Sequence, residues 1–503
     1  MTRKKKELPV LEHITIIDAG AEGNAVARVG DRVVFVPFAV PGDVVDIQVI
    51  RMRRNYYEGK VVQVHTRSER RTEPVCSHFG TCGGCRWQNM RYEDQLFFKQ
   101  KQVEDNLNRI GKFYGFDLLP ILPSATTTHY RNKLEYTFSN RRWLTREEIG
   151  IRNEDGGMRN EEKGTGNALG FHIPGMFDKV LDIHTCHLQQ EPSNSIRLAI
   201  KEYAREKGFT FYDMRNWTGF LRNVIIRTSS TGEVMVIVVV REEIQEEVHA
   251  LLDHLARLFP AITSLYFVVN QKRNDSLLDQ KFNLYKGEPF ITERMQAFQE
   301  EDPDLIFRIG PNSFFQTNSG QAEKLYRTVT GFAGLRGDEV VYDLYTGIGT
   351  IAIYLSRYVK QVIGVESVGP AVSDADQNAV LNGIQNARFI TGEVESVLDP
   401  AFIDAHGKPD LIIADPPRSG MQEKGIRAIL SAAPQTLVYI SCNPATQARD
   451  LALLKEHYQL IKCQPVDMFP HTQHVENVAL LKRRTRDEGR ISYFLISQFH
   501  PLQ

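Results

Sequence analysis

Between residues 11 and 65 apolar and polar positions alternate in short runs, "HITIID", "NAVARVG", "RVVFVPFAV", "DVVDIQVI" and "GKVVQVHT", mostly bounded by Gly, Pro or Asp. Alternation with period two predicts strands, and five short ones in succession predict a small OB-like barrel, a common RNA-binding module. The pattern then changes, and "YEDQLFFKQKQVEDNLNRIG" carries helical spacing. From 121 to about 285 the chain is mixed. "NVIIRTSSTGEVMVIVVV" and "ITSLYFVVN" predict strands, while the polar, glycine-rich "IRNEDGGMRNEEKGTGNALG" reads as a flexible surface loop. From about 305 onward strands and helices alternate, the pattern of a parallel α/β sheet. The expected architecture is multidomain α/β: an OB-like barrel in 1–66, a mixed α+β central domain in 67–290, and a Rossmann-like domain in 291–503.

Composition fits several packed cores, with 42 % hydrophobic and 24 % charged residues in a chain of 503. No apolar run approaches the roughly 18 residues of a membrane span, and "MTRKKKELPV" lacks the apolar segment of a signal peptide. A cytoplasmic monomer is expected. The formal net charge of −1 does not announce a nucleic-acid partner. The clusters Arg3-Lys4-Lys5-Lys6 and Arg51-Met52-Arg53-Arg54 suit a solvated surface as readily as RNA.

Cysteine spacing says more. Cys76, Cys82 and Cys85 crowd a glycine-rich stretch, "CSHFGTCGGC", and the next cysteine is Cys186 in "VLDIHTCHL". Three soft thiolates on one loop suit zinc or an iron-sulfur centre. His184 and His187 are the natural further donors if the metal is zinc.

A cofactor site is written into "EVVYDLYTGIGTIAIYLSRYVKQVIGVESVGPAV". A strand ends in Asp343, the loop Gly347-x-Gly349-x-x-Ala352 opens a helix, and a second strand ends in Glu366. Glycines admit a ligand close to the backbone, and the acidic residue about 20 positions on can accept from ribose hydroxyls. This pattern suits an adenosine-bearing cofactor without choosing between a dinucleotide and S-adenosylmethionine. "DLIIADPPRSG" brings Asp415 to the same carboxyl edge, and "YISCNPAT" brings Cys442 there one strand later. A thiol at a strand end beside such a pocket is better placed as a nucleophile than as a core filler. Glu476, in "FPHTQHVENVALLKRR", can return to that edge as a base, although a glutamate on a turn is ordinarily just solvated.

In this order the motifs resemble the RNA uracil-5 C-methyltransferases that carry an N-terminal TRAM barrel, and the likeness covers almost the whole chain. It implies a C-terminal class I methyltransferase domain and a 4Fe-4S cluster on Cys76, Cys82, Cys85 and Cys186. It implies S-adenosylmethionine held by Gln316, Tyr345, Glu366 and Asp415, with Cys442 as nucleophile and Glu476 as base. Phe314, in "NSFFQTN", resembles the family's aromatic neighbour of the target base. Four cluster cysteines with a barrel resemble the branch acting on 23S ribosomal RNA more than the minimal transfer RNA branch. The insert around 141–170 and the tail "TRDEGRISYFLISQFHPLQ" depart from the pattern. Two rivals remain: a methyltransferase of exocyclic amines, where an aromatic residue rather than Arg418 would follow Asp-Pro-Pro, and a non-catalytic RNA-binding iron-sulfur protein, which needs neither Cys442 nor Glu476.

Overall fold

The computed structural model describes residues 8–20, 22–145, 148 and 166–484. The Arg3-Lys4-Lys5-Lys6 cluster, most of the 141–170 insert and the C-terminal tail lie outside the described residues.

The five alternating runs are strands Val10–Ala19, Ala25–Val29, Arg32–Val36, Val44–Met52 and Tyr56–Thr66, closed into a barrel. Val45, Ile47 and Val49 point inward and are buried while their neighbours are less so, which is the period-two pattern in three dimensions. Ile16, Ala27 and Val34 complete a core belonging to the barrel alone.

The central segment is built on an eight-stranded sheet whose edge strands are Arg142–Trp143 and Phe282–Gly287. Its strands Leu221–Thr228 and Val234–Val240 are buried at every position because both faces are covered. Helices Ser193–Lys207 and Gln245–Leu258 cover one face. On the other, Ile225, Ile237 and Tyr266 join a core that continues through Phe307, Phe315 and Leu325 to Val438, Ile440 and Val478. The central and C-terminal regions therefore share one hydrophobic core.

The C-terminal sheet has the order Ala387–Thr391, Gln361–Glu366, Val340–Leu344, Leu411–Ala414, Thr436–Ser441, Glu476–Arg483, Tyr458–Val466, Asp117–Leu118. Its first five strands are parallel, as the alternating pattern predicts. One strand departs from the parallel pattern. Glu476–Arg483 runs antiparallel to both neighbours, because residues 467–475 link it to Tyr458–Val466 without a helix and a crossover needs a longer connection. Residues from the expected central segment also join this sheet. Asp117–Leu118 adds its last strand, and helix Tyr92–Arg109 packs on helix Pro444–Leu454. Among the described residues no helix is long and apolar enough to cross a membrane.

The link 467–475 is held from three sides. Lys99 and Asp467, both fully buried, pair at 2.6 Å, with the Tyr92 hydroxyl donating to Asp467 at 2.8 Å. The His471 N–H donates to Gln95 Oε1, and the His471 carbonyl accepts from the N–H groups of Arg86 and Trp87. Side-chain amides of Asn318 and Gln321 donate to the carbonyls of Met468 and Asp467. The Tyr130 hydroxyl donates to the Pro470 carbonyl. Removing one partner of a buried ion pair of this kind costs about 3–5 kcal/mol, because the other charge is left in the interior.

Candidate active site

The carboxyl edge of the C-terminal sheet gathers most of the residues singled out from the sequence. Leu344 pairs with Ala414 and Ala414 with Tyr439, so Tyr345, Asp415 and Cys442 all emerge at the same edge. The antiparallel strand begins where the parallel strands end. Ser441 pairs with Asn477, so one step further in the same register Cys442 stands opposite Glu476. Asn443 caps the next helix by accepting from the Ala445 N–H, and Pro444 occupies its first turn, which stops the strand directly after the thiol.

The electrostatics are those of a crowded anionic site. Burial, the Glu476 charge and Asp415 push the Cys442 thiol up to about 12, with Arg418 pulling the other way. Burial pushes Asp415 up to about 7. Glu476, 4 % exposed, stands well above the ordinary carboxylate range through burial and the neighbouring Asp415, again opposed by Arg418. It is not the solvated turn glutamate that its sequence position suggests. Arg418 donates to His474 Nδ1 at 2.6 Å. Burial and the Arg418 charge hold that imidazole down at about 4, so it is neutral and can accept.

The glycine loop forms as expected. Gly349 caps helix Thr350–Ser356 at φ 80°, and a Cβ there would meet the Phe389 ring at 2.9 Å. At Gly347, φ 58°, the space is open, and its N–H donates to Glu366 Oε2 at 3.1 Å. Glu366 also accepts from the Val368 N–H at 2.9 Å, which fixes its carboxylate beside the loop. Gly347, Tyr345, Glu366 and Asp415 can thus hold an adenosine-bearing ligand. Gln316 is buried, and its carbonyl accepts from Asn132 at 2.9 Å, tying this segment to the central sheet. Phe314, two residues earlier, is 68 % exposed.

Three participants went unassigned in the sequence. Asp343 is buried, pushed up to about 7 by desolvation, and holds the glycine loop by accepting from Thr346 Oγ1 at 2.5 Å and the Ala352 N–H at 3.1 Å. Its position at the end of the first strand was the available signal. Arg418 and His474 each lie two or three residues from an assigned group, but their pairing joins segments 56 residues apart.

The cysteines of the glycine-rich stretch form a separate site. Cys76, Cys82, Cys85 and Cys186 line one cavity of about 190 Å³, with His78 and His187 also on its wall. His184 is not on that wall; its backbone N–H donates to His78 Nε2 at 3.0 Å. Burial pushes Cys82 up to about 11 and Cys85 up to about 12, with the other thiols adding to both shifts.

A family model described as tRNA (Uracil-5-)-methyltransferase matches residues 226–484, and a TRAM domain model matches residues 12–62. An RNA methyltransferase of Bacteroides thetaiotaomicron is 51 % identical over 92 % of this chain and 100 % of its own length. The chain belongs to the RNA uracil-5 methyltransferase family. A further RNA methyltransferase, from Porphyromonas gingivalis, is 51 % identical over 93 % of this chain and 99 % of its own. Among solved structures, the Pyrococcus abyssi tRNA (uracil-54, C5)-methyltransferase in complex with S-adenosyl-L-homocysteine is similar at a TM-score of 0.68 and 27 % identity, over 93 % of this chain and 99 % of that one.

For this uracil-5 methyltransferase the raised thiol has a measurable consequence. An ordinary thiol is half ionised near pH 8.5, so its alkylation rate rises less than about twofold over the next unit, whereas Cys442 carries its proton well beyond that point. Iodoacetamide labelling of Cys442 in the free protein, followed by peptide mass spectrometry, should accelerate about tenfold per pH unit up to pH 9.5. A rate that levels between pH 8.5 and 9.5 would contradict the raised thiol.

Proposed function

We propose that the protein methylates carbon 5 of a specific uridine in 23S ribosomal RNA, with S-adenosylmethionine as donor and through a covalent adduct of Cys442 at carbon 6. The observation carrying this reading is the register that sets Cys442 opposite a buried Glu476 at the ligand-binding edge of the sheet. Neither rival accounts for that pair: amine methylation needs no thiol, and a non-catalytic binder needs no buried base.

Carbon 5 of uracil is a weak nucleophile. Addition of the Cys442 sulfur to carbon 6 forms a C–S bond and moves the ring electrons toward O4, which leaves an enolate with nucleophilic character at carbon 5. The thiol must lose its proton as it attacks, since burial keeps it neutral in the free site, and that proton passes to water so that Glu476 stays free for the later step. S-adenosylmethionine, when bound, supplies the electrophilic methyl group. Glu476 then takes the carbon-5 proton, the C–S electrons return to sulfur, and the ring double bond is restored.

The residues present suit that donor. Burial raises Asp415, and burial with the Asp415 charge raises Glu476, which Arg418 opposes; a ligand carrying sulfonium and ammonium charges supplies what the pocket lacks. Gln316, Tyr345, Glu366 and Asp415 would hold it. In the cysteine cavity, burial and the neighbouring thiols raise Cys82, Cys85 and Cys186, and together with Cys76 they would become ligands once a metal centre compensates their charge. The donor set of four thiols suits a 4Fe-4S cluster on Cys76, Cys82, Cys85 and Cys186, and zinc with His187 is the second reading of that cavity.

In this reading residues 1–66 grip RNA, 67–290 carry the cluster and 291–503 perform the transfer, with Phe314 exposed to stack on the unstacked target. The four cysteines and the barrel favour ribosomal RNA. A transfer RNA target is the second reading, favoured by the full-length likeness to the Pyrococcus abyssi enzyme. Mapping 5-methyluridine by mass spectrometry in RNA from a deletion strain separates them: loss from 23S ribosomal RNA is expected, and loss from transfer RNA alone would overturn the ribosomal assignment.

Glu476→Gln tests the base directly. Addition and methyl transfer should proceed while release stalls, so denaturing gels with labelled donor should show a labelled enzyme–RNA band with ordinary uridine. The band should disappear in the Cys442→Ala background. Rapid turnover without a band would remove Glu476 from the mechanism.

A further inference from the structure

We infer that Lys133, beside Arg227 on the face of the central sheet turned toward the C-terminal region, contacts a backbone phosphate of the RNA next to the target uridine. This contact presupposes the RNA substrate proposed above, but no particular RNA and no covalent step.

Register places the two cations together. Arg227 of strand Leu221–Thr228 and Lys133 of strand Lys133–Ser139 stand directly opposite each other in an antiparallel pair, so their side chains leave the same face with Cβ atoms about 5 Å apart. Ile225, two residues before Arg227, joins the core shared with the C-terminal region, which identifies that face. Like charges set opposite one another repel, so each needs a reason to be there. For Arg227 the reason is structural. It is buried, and its guanidinium donates to the carbonyls of Ser313 at 2.7 Å and Pro311 at 3.4 Å, which holds the turn before Phe314. Lys133 has no equivalent task. Among the described residues its half-buried ammonium is engaged by no hydrogen bond; burial and the Arg227 charge push it down to about 8, and only Glu135 pulls the other way. It stays charged at neutral pH, and a charge held this way without a partner is costly.

The neighbours of Lys133 set it at the site. The Asn132 N–H donates to the Thr317 carbonyl at 2.8 Å, and the Asn132 side-chain amide donates to the Gln316 carbonyl at 2.9 Å. Residues 132 and 133 and Arg227 thus flank the segment 313–317, which presents the exposed Phe314 and the buried Gln316. Glu135, on the same face as Lys133, is exposed, yet burial and then Asp275 hold its carboxyl above the ordinary range, against the pull of Lys133. A group open to solvent and still desolvated lies on the floor of a groove. Bases and phosphates alternate along single-stranded RNA, so an exposed aromatic for one base and an unpartnered cation for the adjoining phosphate match it. Lysine meets phosphate as a point charge and needs no second donor.

The test is binding of a fluorescent oligouridylate to the full-length protein at pH 7, without methyl donor and across a range of KCl. Lys133→Met should weaken binding about tenfold at moderate salt, as loss of one charge-assisted hydrogen bond does. It should also make the plot of log Kd against log salt shallower by about 0.7, the contribution of one single-strand phosphate. Lys133→Arg should keep the wild-type slope. Because the charge removed only repels Arg227 in the free protein, the thermal transition of Lys133→Met should stand at or above that of wild type. No binding by the wild type, an unchanged slope in Lys133→Met, a reduced slope in Lys133→Arg, or a lowered transition in Lys133→Met would overturn the proposal. Methyl transfer to RNA from the deletion strain is scored separately: its failure with the salt effect intact would overturn the functional reading and leave this contact standing.

Discussion

The ion pair of Lys99 and Asp467 is closed off from solvent, and the site depends on it. Its charges are worth burying only because each has hydrogen-bond partners beyond the other. Asp467 also accepts from Tyr92 and from the Phe469 N–H, and Lys99 donates to the Phe469 carbonyl at 3.0 Å. A buried network of this kind favours one arrangement, and it fixes the link 467–475 that delivers Glu476. The same link is gripped by Gln95 beyond the cysteine stretch and by Asn318 and Gln321 beyond Gln316. Three regions far apart in the chain are thus set against one short segment.

Topology then does what no single residue can. Parallel strands end at the ligand edge, so their last residues point chemistry toward it, and an antiparallel strand must begin there. The thiol comes from one kind of strand and the carboxyl from the other, in adjacent register. Burial raises both acids, and Arg418, turned by its bond to neutral His474, is the cation that tempers them. Cys463 makes the contrast: fully buried within strand Tyr458–Val466, it packs in the core and faces no such group.

Much of this was legible in the sequence where structure is local. Period-two alternation marked the barrel, glycine spacing marked the loop at Gly347 and Gly349, and the Asn443-Pro444 stop marked the strand end at Cys442. What stayed hidden depends on contacts between distant segments. Lys99 looks like any lysine on a polar helix until Asp467 is placed against it. The direction of strand Glu476–Arg483 is not in its own residues but in the short link before it, and the burial of Glu476 follows from that direction. The attachment of Asp117–Leu118 to the last sheet rests on two residues too few to show a period.

The proposed mechanism requires Cys442 to bond to the target base, and one measurement addresses that bond. RNA containing 5-fluorouridine, incubated with the protein and S-adenosylmethionine, offers a carbon 5 from which fluorine cannot leave as a proton does. Digestion and mass spectrometry should find a methylated 5-fluorouridine joined to the peptide containing Cys442. Complete absence of a covalent species while ordinary RNA is methylated, or a nucleoside joined to a different residue, would contradict it.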